Sequence, residues 1–218
     1  MSAYIHKLIL QGEHQKQDFK FQVNDSRKIA RTLSAFANTD GGKLLIGVKD
    51  NGVVAGVRSD EEFYMIEAAA QMYCKPAIEF AHRTWNVDGK TVLEIDIPQM
   101  DIKPCFAENE HNKWLAYIRV ADQNILASTI QLKYWKHINS QAGTFIRFSD
   151  KERILLEFLN QNAFITLGKF CKLASIPRYL AENLIVNLLI TGVIEMAQND
   201  KMTWFRLKDP VENFDGEE

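Results

Sequence analysis

A chain of 218 residues with 46% hydrophobic and 25% charged residues has the composition of a folded globular protein, and excludes a disordered or fibrous one. Its formal net charge of −2 and pI near 6.2 exclude attraction of a polyanion through overall positive charge, so any nucleic-acid surface has to be a local gathering of Lys and Arg. Cys74, Cys105 and Cys171 form no C-x-x-C pair, which argues against a disulfide framework and a cysteine-rich zinc site; with no signal-peptide pattern and no run of about 20 apolar residues, a cytoplasmic protein without a membrane partner is expected.

After the polar stretch 12–18, residues 25–38 read as a helix opened by Asp25 or Ser26, with Ile29, Leu33, Phe36 and Ala37 at helical spacing on one buried face. Thr39, Asp40, Gly41 and Gly42 break that helix, and the apolar run 43–50 reads as a central strand. Asp50, Asn51 and Gly52 make a hairpin turn, because Asn-Gly accepts the positive backbone angles of a tight loop, and 53–57 is the returning strand. Ser59 and Glu62 have capping-box spacing for a helix over 60–74, which Pro76 ends. Strands over 78–87 and 91–97 join through Asp88 and Gly89, 115–120 is a further strand, and 128–137 is a helix that closes the domain.

Around 143–148 the pattern turns from mixed α and β to helical, which predicts domains at 1–142 and 143–208 and a mobile acidic tail at 209–218. Ser149 and Glu152 form a second capping box, opening a helix with Ile154, Leu155, Phe158 and Leu159 on its inner face. A short helix follows over 166–173; a third starts with Pro177 in its first position and stops at Gly192, and alternating runs on either side of 198–201 form a β-hairpin. Three helices and a two-stranded wing outline a winged helix-turn-helix. The predicted fold class is therefore α+β: a mixed α/β domain with a hairpin-rich sheet, then a winged helix-turn-helix domain.

The string AFANTDGGKLLIGVKDNGVVAGV, preceded by D-F-K at Asp18 to Lys20 and followed by Lys103, Pro104 and YIRV at 117–120, resembles the AlbA_2 domain of Schlafen proteins, also called divergent AAA-4. The resemblance covers about residues 10–138 and implies a nucleic acid as partner, with a bacterial regulator of transcription as the protein type. Nuclease members of that family carry two Glu in an E-x-x-x-x-E-F-K arrangement and an Asp near the end of the glycine-rich strand; Glu13, Asp18 and Asp50 stand at the matching positions. Asp18 is one methylene shorter than the Glu it replaces, and a catalytic group misplaced by about an ångström loses rate about a hundredfold. If the nuclease role holds, these carboxylates would hold Mg or Mn, which polarises a phosphate and activates water. Read as residues alone, they are solvent-facing carboxylates, with Asp50 a turn residue. ATP is not expected, because no P-loop is present.

Phosphate contacts are expected from Lys20, Arg27, Arg31 and Lys43, from the successive amides at Gly41 and Gly42, and from Arg119, which should emerge on the polar face of its strand. The structural alternatives are a helix stop at the two glycines, a solvated helix face for Arg27, Lys28 and Arg31, and neutralisation of Asp18 and Glu13 by Lys20. In the C-terminal part, Arg178, Tyr179, Asn183 and Asn187 would face a major groove, with Lys169 and Lys172 on the preceding helix and Lys201 at the wing tip; Glu182 and Glu195 oppose them. The resulting expectation is a non-catalytic nucleic-acid-binding regulator, on DNA rather than RNA, working as a homodimer. A metal-dependent endoribonuclease and a protein-interaction adaptor are the alternatives.

Overall fold

A computed structural model describes residues 2–140 and 149–208; the boundary expected at 143–148 and the tail at 209–218 lie outside them. The chain divides into two units after Ala127.

In the first unit, α1 (Ser2–Gln11) leads into β1 (Gln17–Lys20), α2 (Ser26–Asn38) and β2 (Gly42–Ile46), and β1 pairs parallel with β2. There follow α3 (Glu61–Met72), β3 (Cys74–Lys75), β4 (Ala81–Val87), β5 (Lys90–Ile97), β6 (Phe106–Glu108), β7 (Trp114–Val120) and β8 (Gln123–Leu126). Two four-stranded sheets result, in the orders β1-β2-β5-β4 and β3-β6-β7-β8. Alternation along β2 and β5 gives the first sheet two apolar faces. Leu45 and Val92 meet Ile5, Leu8 and Ile9 of α1 on one side, while Leu44, Ile46, Leu93 and Ile95 join Leu33 and Phe36 of α2 and Ile66 of α3 on the other. Tyr117 of β7 and Ala107 of β6 belong to that second core, so α2 is shared by both sheets.

The capping signal at α2 is met as expected: the Asp25 carboxylate accepts the amides of Arg27 and Lys28. Asp88 and Gly89 take positive φ in the β4–β5 turn, again as expected. Two local readings are corrected. The expected returning strand at 53–57 makes only the isolated Val48–Val54 bridge. The Ser59–Glu62 box does not form, because the buried Glu62 carboxylate instead accepts the amides of Val23 and Arg58. A distant orphan amide outcompetes the local one when burial excludes water.

The second unit holds α4 (Thr129–Ile138), α5 (Asp150–Gln161), α6 (Leu167–Ala174), α7 (Arg178–Ile190), β9 (Ile194–Gln198) and β10 (Thr203–Leu207). Ile130, Leu155, Leu159, Phe170, Ile185, Leu188 and Phe205 form its core. The helix expected to close the first domain is α4, and it packs on α7 instead, since Ile130 completes the second core. The capping box of Ser149 and Glu152 is present, and Pro177 sits at the N-cap of α7, one position earlier than expected. β9 and β10 pair antiparallel, and Ile165 bridges to Phe205 on the far side of β10. No single helix among the described residues is long and apolar enough to cross a membrane.

Candidate nucleic-acid interface

A cavity of about 600 Å³ opens in the first unit where the end of β1, the start of α2 and the β7–β8 turn come together. Glu13, Asp18 and Asp50 all line it, as do Lys20, Lys28, Arg31 and Arg119. Carboxylates at Asp25, Glu110 and Asp122 complete the rim, so its charge is mixed and not the cationic concentration expected. The walls otherwise carry amides and small aliphatic groups with no aromatic ring, which suits phosphate and sugar contact better than base stacking.

Asp18 is the floor of the site, only 3% exposed. The β1–β2 pairing directs its side chain inward, where Oδ1 lies 3.3 Å from the Arg119 guanidinium and Oδ2 lies 2.8 Å from Lys20 Nζ. That second contact is an ion pair without hydrogen-bond alignment, so Oδ2 receives no aligned N–H. Glu13 Oε1 accepts the Phe19 amide at 2.9 Å. Burial and the adjacent Asp18 push the Glu13 carboxyl up to about 7, against the opposing pull of the Phe19 amide and Lys20. Burial would also raise Asp18, but the Glu13 hydrogen bond, Lys20 and Arg119 outweigh it and hold that carboxyl below its ordinary value. The two acids therefore share one proton near neutral pH, carried by Glu13.

A stability slope follows. Glu13 binds its proton more tightly folded than unfolded, so its contribution is full below the ordinary value of 4.5 and is lost as pH rises through about 7. Asp18, shifted the other way, acts only in a lower window, losing its contribution as pH falls below its ordinary 3.8. Glu13→Gln, neutral throughout, is expected to flatten the decline in urea midpoint between about pH 5 and about pH 8; an unchanged slope would place the shared proton elsewhere.

Arg119 does not emerge on a polar face as expected. It is 2% exposed, with its donors directed at the carbonyls of His14 and Gln17, at Asn124 Oδ1 and at Asp18, and its guanidinium lies 5.1 Å from the Phe36 ring centre. Lys43 is likewise engaged, 2.6 Å from Asp96 and 2.9 Å from Glu94. Burial would lower its ammonium, yet the two carboxylates outweigh that and raise it. The glycine amides form no anion nest: Gly41 N–H donates to Phe36, and a Cβ at Gly41 would stand 2.7 Å from the Ile97 carbonyl. At Gly42 a Cβ would stand 2.6 Å from the Phe36 ring, so both glycines serve close backbone packing. Arg27 points away from the cavity, bonding Asn112 and lying over Tyr73. Of the expected cations, Lys20 and Arg31 remain at the cavity beside Arg119, and Lys28 joins them there.

In the second unit, Arg178 pairs with Glu182, Glu195 pairs with Arg206, and Lys169 lies near the Phe158 ring. Asn183 is exposed and accepts a hydrogen bond from Lys133 of α4, and the half-buried Asn187 lines the α4–α7 groove. Tyr179 is 66% exposed, and Lys172 and Lys201 are exposed.

The divalent cation implied for the nuclease role does not fit these donors. Both Asp18 oxygens already face cations, one Glu13 oxygen holds a backbone amide, and Asp50 sits exposed at its turn. Among the described residues no three His, Cys, Asp or Glu side chains form a metal-holding group. Cys74 and Cys105 are buried free thiols and Cys171 is a half-buried one. Sequence reading missed Gln15, whose amide joins Asp40, the Arg119 carbonyl and the Ala121 amide, and Asn124, which holds Arg119; neither carries a periodicity signal.

The family model described as Schlafen, AlbA_2 matches residues 13–128, more than half of the chain and ending where the first unit ends. No curated protein matches the chain. Among solved structures, the DIP2311 protein from Corynebacterium diphtheriae is similar at 22% identity and TM-score 0.42, over 60% of this chain and 28% of its own length. This chain thus spans under a third of that protein. The N-terminal domain of a RecG-related protein from Nitrosomonas europaea is similar at 23% identity and TM-score 0.42, over 59% of this chain and 94% of that domain.

Proposed function

Because the chain belongs to the Schlafen AlbA_2 family, we propose that it is a non-catalytic nucleic-acid-binding protein, a bacterial regulator of transcription that engages DNA through its first-unit cavity. The observation that carries this reading is the placement of Lys28 and Arg31, one turn apart on α2, beside Lys20 at one polar concavity. The carboxylates around them limit the number of phosphates held. Binding should therefore be modest and salt-dependent, with a log–log slope of about 0.9 per phosphate contact. The second unit reads as a winged helix-turn-helix: α6 and α7 meet at a bend of 110°, within the range of about 90–120° for that motif. Arg178, Tyr179, Lys172 and Lys201 would then supply further contacts, and a cytoplasmic homodimer would double them.

Anisotropy titrations of labelled duplex, single-stranded DNA and structured RNA at low salt test the proposal. The double charge reversal Lys28→Glu with Arg31→Glu is expected to weaken binding at least about tenfold and to reduce the salt slope by about 2. Failure of every probe to bind at low salt removes the function. A Schlafen-type endoribonuclease is the second reading, favoured by a Glu13 poised near neutrality beside Asp18, as a general acid or base needs. Intact tRNA after incubation with magnesium or manganese dismisses that reading.

A further inference from the structure

The geometry points to Lys20 as a tethered cation standing in the place of a divalent metal, so that this site works without one. Lys20 Nζ lies 2.8 Å from Asp18 Oδ2 and donates to its neighbour's carbonyl, Phe19 O, at 2.7 Å. An ammonium has three N–H donors. With one directed at the carbonyl and one near the carboxylate, the third is left for the cavity, to which the side chain remains 35% exposed. Asp18 Oδ2 is buried and receives no aligned N–H, so once Glu13 gives up its proton it is the obvious ligand atom for a hard cation. That atom instead has a positive charge fixed beside it, and Arg119 fixes a second at Oδ1.

A divalent ion would have to displace the ammonium or sit within a few ångströms of it, while gaining at most one free oxygen from Glu13. Magnesium needs near-octahedral oxygen coordination and dehydrates reluctantly, so two partly engaged carboxylates do not suffice. The shorter Asp18 side chain keeps its carboxylate back against Lys20 and Arg119. The free Lys20 donor would then meet a phosphate oxygen directly, where a metal would otherwise bridge.

Manganese titration of the free protein tests this independently of any nucleic acid, and therefore of the proposed function. In ¹⁵N-labelled wild type, Mn²⁺ is expected to give no saturable binding and no selective broadening of the Asp18, Phe19 and Lys20 amides. Lys20→Met removes the charge and keeps the apolar stem; it is expected to gain saturable Mn²⁺ binding with selective broadening of those amides, at an affinity at least about tenfold above the detection limit that wild type does not reach. Adding Glu13→Gln to Lys20→Met should abolish that gain. Selective broadening in wild type that Glu13→Gln removes overturns the inference, whether or not the Lys20 variant folds. A folded Lys20→Met that remains silent to Mn²⁺ overturns it as well.

Discussion

Arg119→Ala is expected to destabilise the first unit by about 3–5 kcal/mol, the range for removing one partner of a buried charge pair. The side chain is 2% exposed and ties the β7–β8 hairpin, where it also holds Asn124, to one stretch distant in sequence: His14 O in the turn before β1, and Gln17 O and the Asp18 carboxylate in β1. Alanine would remove one donor each from His14 O and Gln17 O, which keep the backbone amides of Gln17 and His14, and would leave the Asp18 carboxylate with Lys20 as its remaining cation. Lysine should not rescue it, because a single ammonium lacks the planar fork that reaches four acceptors at once. Since whole domains are stable by only about 5–15 kcal/mol, the variant should show a lowered first transition in urea, with the second unit's transition retained. A loss under about 1 kcal/mol would mean that Arg119 is not the tie holding β1 to β7.

That residue also shows where sequence reading stops. In YIRV, alternation places Arg119 opposite its apolar neighbours, and a strand's polar face ordinarily means solvent. Here the polar face is covered by the chain before β1, whose parallel pairing with β2 spans the whole of α2 and leaves no local mark. The same cause hid α1, whose Ile5, Leu8 and Ile9 find their sheet partners only in the fold. Elements specified within a few residues were legible: the Asp25 cap, the turn at Asp88 and Gly89, and the Ser149–Glu152 box. The Ser59–Glu62 box has identical spacing and failed, because Val23 N–H reaches Glu62 from a distance that spacing does not encode. Glu13, Asp18 and Asp50 do share one cavity, an arrangement that only their order relative to a family pattern could suggest. Their charges are balanced by neighbours that no pattern includes.

The string A-F-A-N-T-D-G-G invites a phosphate-binding reading, yet Asn38 assigns it a structural one. Its Nδ2 donates to Cys105 O at 2.7 Å and Tyr117 O at 2.9 Å, and its Oδ1 accepts the Cys105 amide at 2.7 Å. At 3% exposure no water replaces these bonds, so Asn38 clips α2 to β7 and to the chain entering β6. Asn38→Ala leaves the buried Cys105 N–H and Tyr117 carbonyl without this partner, each worth about 1–3 kcal/mol, while the Cys105 carbonyl keeps the Ser34 hydroxyl at 2.8 Å. A loss of about 3 kcal/mol or more is expected, allowing for relaxation of the cavity. Asn38→Asp preserves shape and volume but turns the two-proton donor toward the carbonyls into an acceptor. It should therefore destabilise at least as much near neutral pH and recover in part on acidification, when the carboxyl regains a single donor. Equilibrium urea unfolding of the three proteins at two pH values distinguishes the cases. If aspartate matches wild type near neutrality, packing rather than hydrogen-bond polarity explains this position, and the glycine-rich string would again be open to a role in ligand contact.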